Sequence, residues 1–263
     1  MIRVAIIGNS HIGAYAEAAE TIRAAFPTVE LSFFAFPRHD LRSADLGDDG
    51  WLRARGDHDS ALPSEIDLAA QDRVIVAGQP FAMIGLNALL AEFDILGWPG
   101  TGKARRLSPA LFADYTRQAV TGAAGRLMKW FGDDGQGRFT YLAQPLVTDR
   151  ARPGSSKMAT LAFHPAALHI FEQWHSALAA TASDMPCPIV PQPPELRASE
   201  VFTPRRFARA ATLPADRAPA PADHIHMSAE YALAHFRAIA KTWPELHNSP
   251  ERPPGPLPIK ESE

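Results

Sequence analysis

Val4-Ala5-Ile6-Ile7-Gly8-Asn9-Ser10-His11-Ile12-Gly13-Ala14 decides how the rest of the chain is read. An apolar, mostly β-branched run gives way to a glycine, a short polar group and then an alanine-rich segment, the pattern of a buried strand turning into a helix. Ser10 falls in the turn. A turn of this kind leaves early helical N–H groups unpaired beyond the carboxyl end of the strand, where negative charge is favoured. Two chemistries suit it: a bound phosphate, or a serine nucleophile whose intermediate carries an oxyanion.

Working outward, residues 14–25 are expected to be helical and residues 29–36 to form a second strand. Residues 37–72 lack sustained periodicity and are long for a loop, so they read as a functional excursion or a small subdomain. Residues 73–77 form a third strand, broken at Gly78-Gln79-Pro80, and residues 81–93 a helix. Ser108 and Pro109 supply an N-cap and first-turn proline for a helix over 110–131. A strand over 138–147, a helix over 165–180 and a short strand over 187–190 follow. Residues 195–222, rich in proline and arginine, read as an irregular surface loop. A last helix over 227–243 places Ala232, Phe236, Ile239, Ala240 and Trp243 on one face.

Strands alternating with helices imply a mostly parallel five-stranded sheet covered on both faces, a three-layer α/β/α architecture. Residues 1–243 make one domain in this reading, and residues 244–263 a proline-rich tail that is disordered or loosely docked. Ligands of such sheets bind outside the carboxyl ends of the strands, where Ser10, Gln79, Gln144 and Gln192 are expected.

The composition is that of an ordinary globular chain, with 46% hydrophobic and 21% charged residues among 263. A net charge of −3 is unlike the basic footprint of a nucleic-acid binder. A single cysteine, Cys187, excludes an intramolecular disulfide and a cysteine-based metal site. The histidines form no metal-binding signature, so neither a metal nor another cofactor is expected. The first residues enter a strand with no leader-like segment, and the expected setting is the cytoplasm, away from membranes.

The second informative stretch is Asp223-His224-Ile225-His226-Met227-Ser228, just before the last helix. An Asp three residues before a His can bring its carboxylate to the ring Nδ1, leaving Nε2 free to take a proton from a serine. Ser228 is a suitable N-cap, and Glu230 suits the first helical turn.

Together, Gly8-Asn9-Ser10-His11 and Asp223-His224-Ile225-His226 resemble the SGNH, or GDSL-like, hydrolase family. There, a Gly-Asp-Ser turn follows the first strand and an Asp-x-x-His pair precedes the last helix. The resemblance implies a flavodoxin-like SGNH hydrolase fold with Ser10 as nucleophile, His226 as general base and Asp223 as its orienting partner. An oxyanion site is expected at the Ser10 N–H, with Gln79 as a substitute side-chain donor and Gly78 leaving room for the substrate, and His11 and His224 beside the motifs and Gln144 at the strand ends are candidate substrate contacts. Asn9 stands where the family has Asp, and Gly78-Gln79-Pro80-Phe81 stands where it has Gly-x-Asn-Asp. Gly47 and Gly50 are the candidates for the family's second-block glycine.

The activity so implied is that of a serine esterase acting on a small polar ester, such as an O-acylated carbohydrate. An O-acyltransferase using the same serine is the alternative. A nucleotide-binding protein is a second alternative, because the first stretch is a dinucleotide fingerprint with Ser10 in place of its middle glycine. Against it, the second strand ends in Phe33-Phe34-Ala35-Phe36-Pro37, with no acidic residue to hold a ribose. A non-catalytic ligand-binding protein on the same fold is the third.

Overall fold

The computed structural model describes residues 1–37, 41–56, 62–131, 137–185, 188–209 and 223–246. Cys187, His39, His58 and the tail beyond Leu246 lie outside the described residues.

In chain order the strands and helices are β1 (Ile2–Gly8), α1 (Ile12–Glu17), α2 (Ala19–Ala25), β2 (Val29–Ala35), β3 (Ala44–Leu46), β4 (Trp51–Ala54) and β5 (Glu65–Asp67). There follow β6 (Arg73–Gln79), α3 (Met83–Glu92), β7 (Asp94–Ile95), β8 (Arg106–Leu107), α4 (Pro109–Phe131) and β9 (Phe139–Ala143). The chain continues through α5 (Lys157–Ala162), α6 (Ala167–Asp184), β10 (Ile189–Val190) and α7 (Ala229–Ala240).

The central sheet has the order β10-β9-β6-β1-β2, and every pairing within it is parallel. Alternation along the strands creates three layers. Val4 and Ile6 of β1 face a core shared with α1, α2 and α7, while Ala5 and Ile7 face the core built on α3, α4, α5 and α6. On β6, Ile75 and Ala77 join the first core and Val74 and Val76 the second. Val4, Ile6 and Ile7 are fully buried, each stabilising the fold by roughly 1.5–3 kcal/mol of transfer free energy. A polar residue at any of them would be buried without partners.

The strand order reverses direction at β1, which has β2 on one side and β6 on the other. Chain connections leave β1 and β6 toward opposite faces there, opening a crevice at their carboxyl ends. Ser10 sits two residues past the end of β1, so topology alone puts it at this crevice.

Several expected elements take a different form. The first helix is two, α1 and α2, joined at Ala18. The 37–72 excursion contains a small antiparallel sheet, β3-β4-β5, whose Ala44, Leu52 and Ile66 pack into the same core as Phe34. The last helix is shorter than its apolar pattern, ending at Ala240, although Trp243 is still buried against it. The strand expected over 138–147 ends at Ala143, where Pro145 follows. Helix α5 was not anticipated, although its signal was present: Ser156 caps it by accepting the Ala159 N–H at 3.0 Å. Among the described residues, no helix is long and apolar enough to cross a membrane.

Candidate functional site

The turn after β1 is built by Asn9. Its side-chain Nδ2 donates to the Gly78 carbonyl on β6 at 2.7 Å, and its Oδ1 accepts the His11 main-chain N–H at 3.1 Å. An aspartate could accept from His11 but could not donate to Gly78, so the amide couples β1 to β6 where a carboxylate would repel the carbonyl. The Ser10 carbonyl accepts the Gly13 N–H at 3.2 Å as α1 begins. Ser10 is thereby held at the mouth of the crevice.

Gly78 has φ +76°, which favours glycine, and lies where β6 slips register against β9. A Cβ there would run into Asn9 Oδ1 and come within 2.9 Å of His11 Cδ2. The missing side chain therefore makes room for Asn9 and His11. It does not leave the open approach for substrate that an oxyanion role at Gly78 requires.

At the other end of the chain, the loop before α7 is anchored on both sides. The His224 carbonyl accepts the Thr148 N–H at 3.0 Å, and the His226 carbonyl accepts the Arg209 N–H at 2.9 Å. Asp223 Oδ1 then takes two hydrogen bonds from His226, the main-chain N–H at 3.1 Å and the ring Nδ1 at 2.8 Å. Both come from one residue three positions on, so the loop orients the ring by local geometry. Ser228 caps α7 by accepting the Tyr231 N–H at 3.4 Å, fixing where the loop ends.

The two ends meet at 2.8 Å between His226 Nε2 and Ser10 Oγ. Asp223 donates nothing to this line: with Nδ1–H pointed at its carboxylate, Nε2 is the acceptor for the serine proton. Burial works to raise the Asp223 pKa, but the hydrogen bonds it accepts from the His226 ring and from main-chain N–H groups hold it below the usual carboxylate value. Asp223 is therefore ionised near neutrality. The His226 side chain is 30% exposed, so the hydrogen-bonded line is open to solvent on one side.

The other expected site residues are placed less uniformly. His11 is only 7% exposed and packs against the His226 ring with centroids 5.4 Å apart, leaving little surface for a substrate. His224 Nδ1 is tied to Thr148 Oγ1 at 3.0 Å. Gln192 is buried and bonds Leu146, Leu196 and Thr203, so it holds loops together. Gln79 Nε2 donates to the Ala77 carbonyl of its own strand at 3.1 Å, turning the amide back toward the sheet. Gly47 and Gly50 close the β3–β4 turn, the Gly47 N–H donating to Trp51 and the Gly50 N–H to Gly47. With those groups spent, neither glycine is an oxyanion donor. The Ser10 main-chain N–H makes no hydrogen bond among the described residues and remains the available donor.

Gln79, Gln144 and Asn9, the residue before Ser10, line a cleft of about 800 Å³ together with Phe36, Met83 and Met158. These apolar residues come from the β2 end, α3 and α5, and sequence spacing gave no sign that they converge.

No family model and no curated protein matches the chain. Among solved structures it is similar to a crystal structure of a DUF4886 family protein from Bacteroides uniformis, with 13% identity and a TM-score of 0.41. That match covers 98% of this chain and 89% of the other.

Proposed function

We propose that the protein is a serine hydrolase of acyl esters, of SGNH type, with Ser10 as nucleophile, His226 as general base and Asp223 as the group that orients and charges against the imidazole. The observation that carries this reading is the continuous line Asp223 Oδ1, His226 Nδ1, His226 Nε2, Ser10 Oγ, with both contacts at 2.8 Å. Ser10 Oγ attacks the ester carbonyl carbon while its proton passes to His226 Nε2, and the carbonyl oxygen becomes an oxyanion. The Ser10 N–H is one donor to that oxygen. Gln79 supplies a second only if its remaining amide N–H turns to the cleft.

His226 next returns the proton to the departing alcohol oxygen, leaving the acyl group on Ser10. Water then attacks this acyl-enzyme, again giving its proton to His226, and as the bond from the acyl carbon to Ser10 Oγ breaks His226 returns that proton to Oγ and the acid is released. If another hydroxyl takes the place of water, the same serine performs acyl transfer. A dinucleotide reading is less well supported, because Ser10 Oγ is engaged by His226 where a pyrophosphate would need bare backbone.

The test pairs hydrolysis of short-chain acyl esters with labelling by a fluorophosphonate probe. Ester turnover and labelling, both lost in Ser10→Ala, are expected. Labelling with no hydrolysis until an acceptor hydroxyl is added points to the transferase. Absence of Ser10-dependent labelling overturns the nucleophile.

A further inference from the structure

The cleft that Asn9 lines, one residue before Ser10, has a chemical bias of its own. Phe36, Leu41, Pro80, Met83, Ile84 and Met158 give it an apolar lining. Ile84 is 51% exposed, a large apolar side chain left in contact with solvent on a helix that buries only Met83, Leu86 and Leu90. The charged residues in the lining are Arg42 and Lys157, and no described lining residue is acidic. This contrasts with a chain whose net charge is −3. Lys157 is exposed, opens α5, and makes no ion pair or hydrogen bond among the described residues. Gln79, Gln144 and Ser156 add neutral polar groups to the same lining.

An apolar surface beside the positive charge of Lys157 recognises a molecule that is apolar along one part and anionic at another. Resting on the reading of Ser10 as nucleophile, we infer that the cleft takes an amphiphilic ester: an aliphatic portion against Met83, Ile84 and Met158, and a phosphate or carboxylate at Lys157. This is narrower than a small polar ester. A fully polar sugar ester would leave the apolar lining in contact with water or with hydroxyls and gain nothing from burying it. The anionic group itself is not the reacting one. It orients the ester so that the carbonyl faces Ser10, and its attraction is electrostatic and therefore weakened by salt.

Binding and turnover are measured separately, so that the cleft and the serine are judged independently. Octyl phosphate, octanoate and octanol are titrated into the full chain and into Lys157→Ala by calorimetry at low salt. The two anions are expected to bind about threefold to tenfold more tightly than octanol. That preference should shrink in Lys157→Ala, return in Lys157→Arg, and fall as salt is raised. A preference for phosphate over carboxylate, or the reverse, says which anion the cleft reads.

Equal binding of anions and octanol, or a preference unchanged in Lys157→Ala and Lys157→Glu, overturns the inference whatever the esterase result. In a parallel arm, an acyl ester bearing a distal carboxylate is compared with its methyl-capped analogue. The expected gain is in kcat/KM for the charged ester over the neutral one, and this ratio should fall toward one in Lys157→Ala and recover in Lys157→Arg. Anion binding that depends on Lys157 without turnover of any ester leaves the cleft standing and removes the Ser10 reading.

Discussion

Tyr15 Oη and His235 Nδ1 lie 2.9 Å apart in the interior, although 220 positions separate them. Tyr15 is on the helix that follows Ser10 and His235 on the helix that follows His226, so the bond ties together the two helices next to these residues. Burial raises the Tyr15 pKa and lowers that of His235 to about 4. The pair is therefore neutral, with phenol donating to imidazole. Tyr15→Phe leaves a buried acceptor unpaired and is expected to cost about 1–3 kcal/mol in urea unfolding. An unchanged midpoint would show that the contact contributes nothing.

The same histidine gives stability a pH dependence. An unfolded chain protonates His235 near its ordinary pKa of about 6.5, whereas the folded chain resists until about 4. Between these values the unfolded state holds the extra proton, so stability falls as pH drops through the window and is retained above it. His235→Leu should flatten the slope of unfolding free energy against pH by about one proton in that range. A slope unchanged by the substitution assigns the effect elsewhere.

Asp94 works in a lower window. Its carboxylate accepts the Thr101 main-chain N–H first, and also the N–H groups of Lys103 and Gly102 and the Thr101 hydroxyl. These bonds outweigh burial and hold its pKa at about 2. Its contribution is full above the ordinary carboxylate pKa and is lost as pH falls toward the folded value. Asp94→Asn should lower the melting temperature at neutral pH, with the difference from the parent narrowing at pH about 2. Melting curves that differ equally at both pH values would count against the charge.

The Ser10 and His226 side chains should behave as a unit. Ser10→Ala and His226→Ala are each expected to lower ester turnover by roughly a thousandfold or more, with the double variant little worse than either. His224→Ala, whose ring bonds Thr148, should have a much smaller effect. Additive losses in the double variant would mean that the two groups act in separate steps.

Asn9 and Gln79 make opposite predictions about the oxyanion region. Asn9→Asp sets a carboxylate against the Gly78 carbonyl, at a contact now 2.7 Å long, and should destabilise the fold by about 1–3 kcal/mol and lower turnover with it. Gln79→Ala removes an amide already committed to Ala77, so turnover should fall by less than about tenfold. A hundredfold loss in Gln79→Ala with normal folding would show that the amide swings into the cleft during reaction.

What the sequence determined by itself is what local spacing controls. The apolar run Val4–Ile7 specified a strand buried on both faces, and the i, i+3 spacing of Asp223 and His226 brought carboxylate and ring together within one loop. The apolar stripe of α7 was legible for the same reason, because 3.6-residue periodicity fixes which side chains share a face. Tertiary structure decided the rest, since it depends on which strands become neighbours. Placing β6 beside β1 sets Gly78 against Asn9 and brings Gln79 into the lining of the same cleft as Asn9. The 2.8 Å contact between Ser10 and His226 spans 216 positions and follows from packing α1 against α7. No pattern confined to a dozen residues carries that information, because such contacts are set by layer packing and strand order, which no single segment encodes.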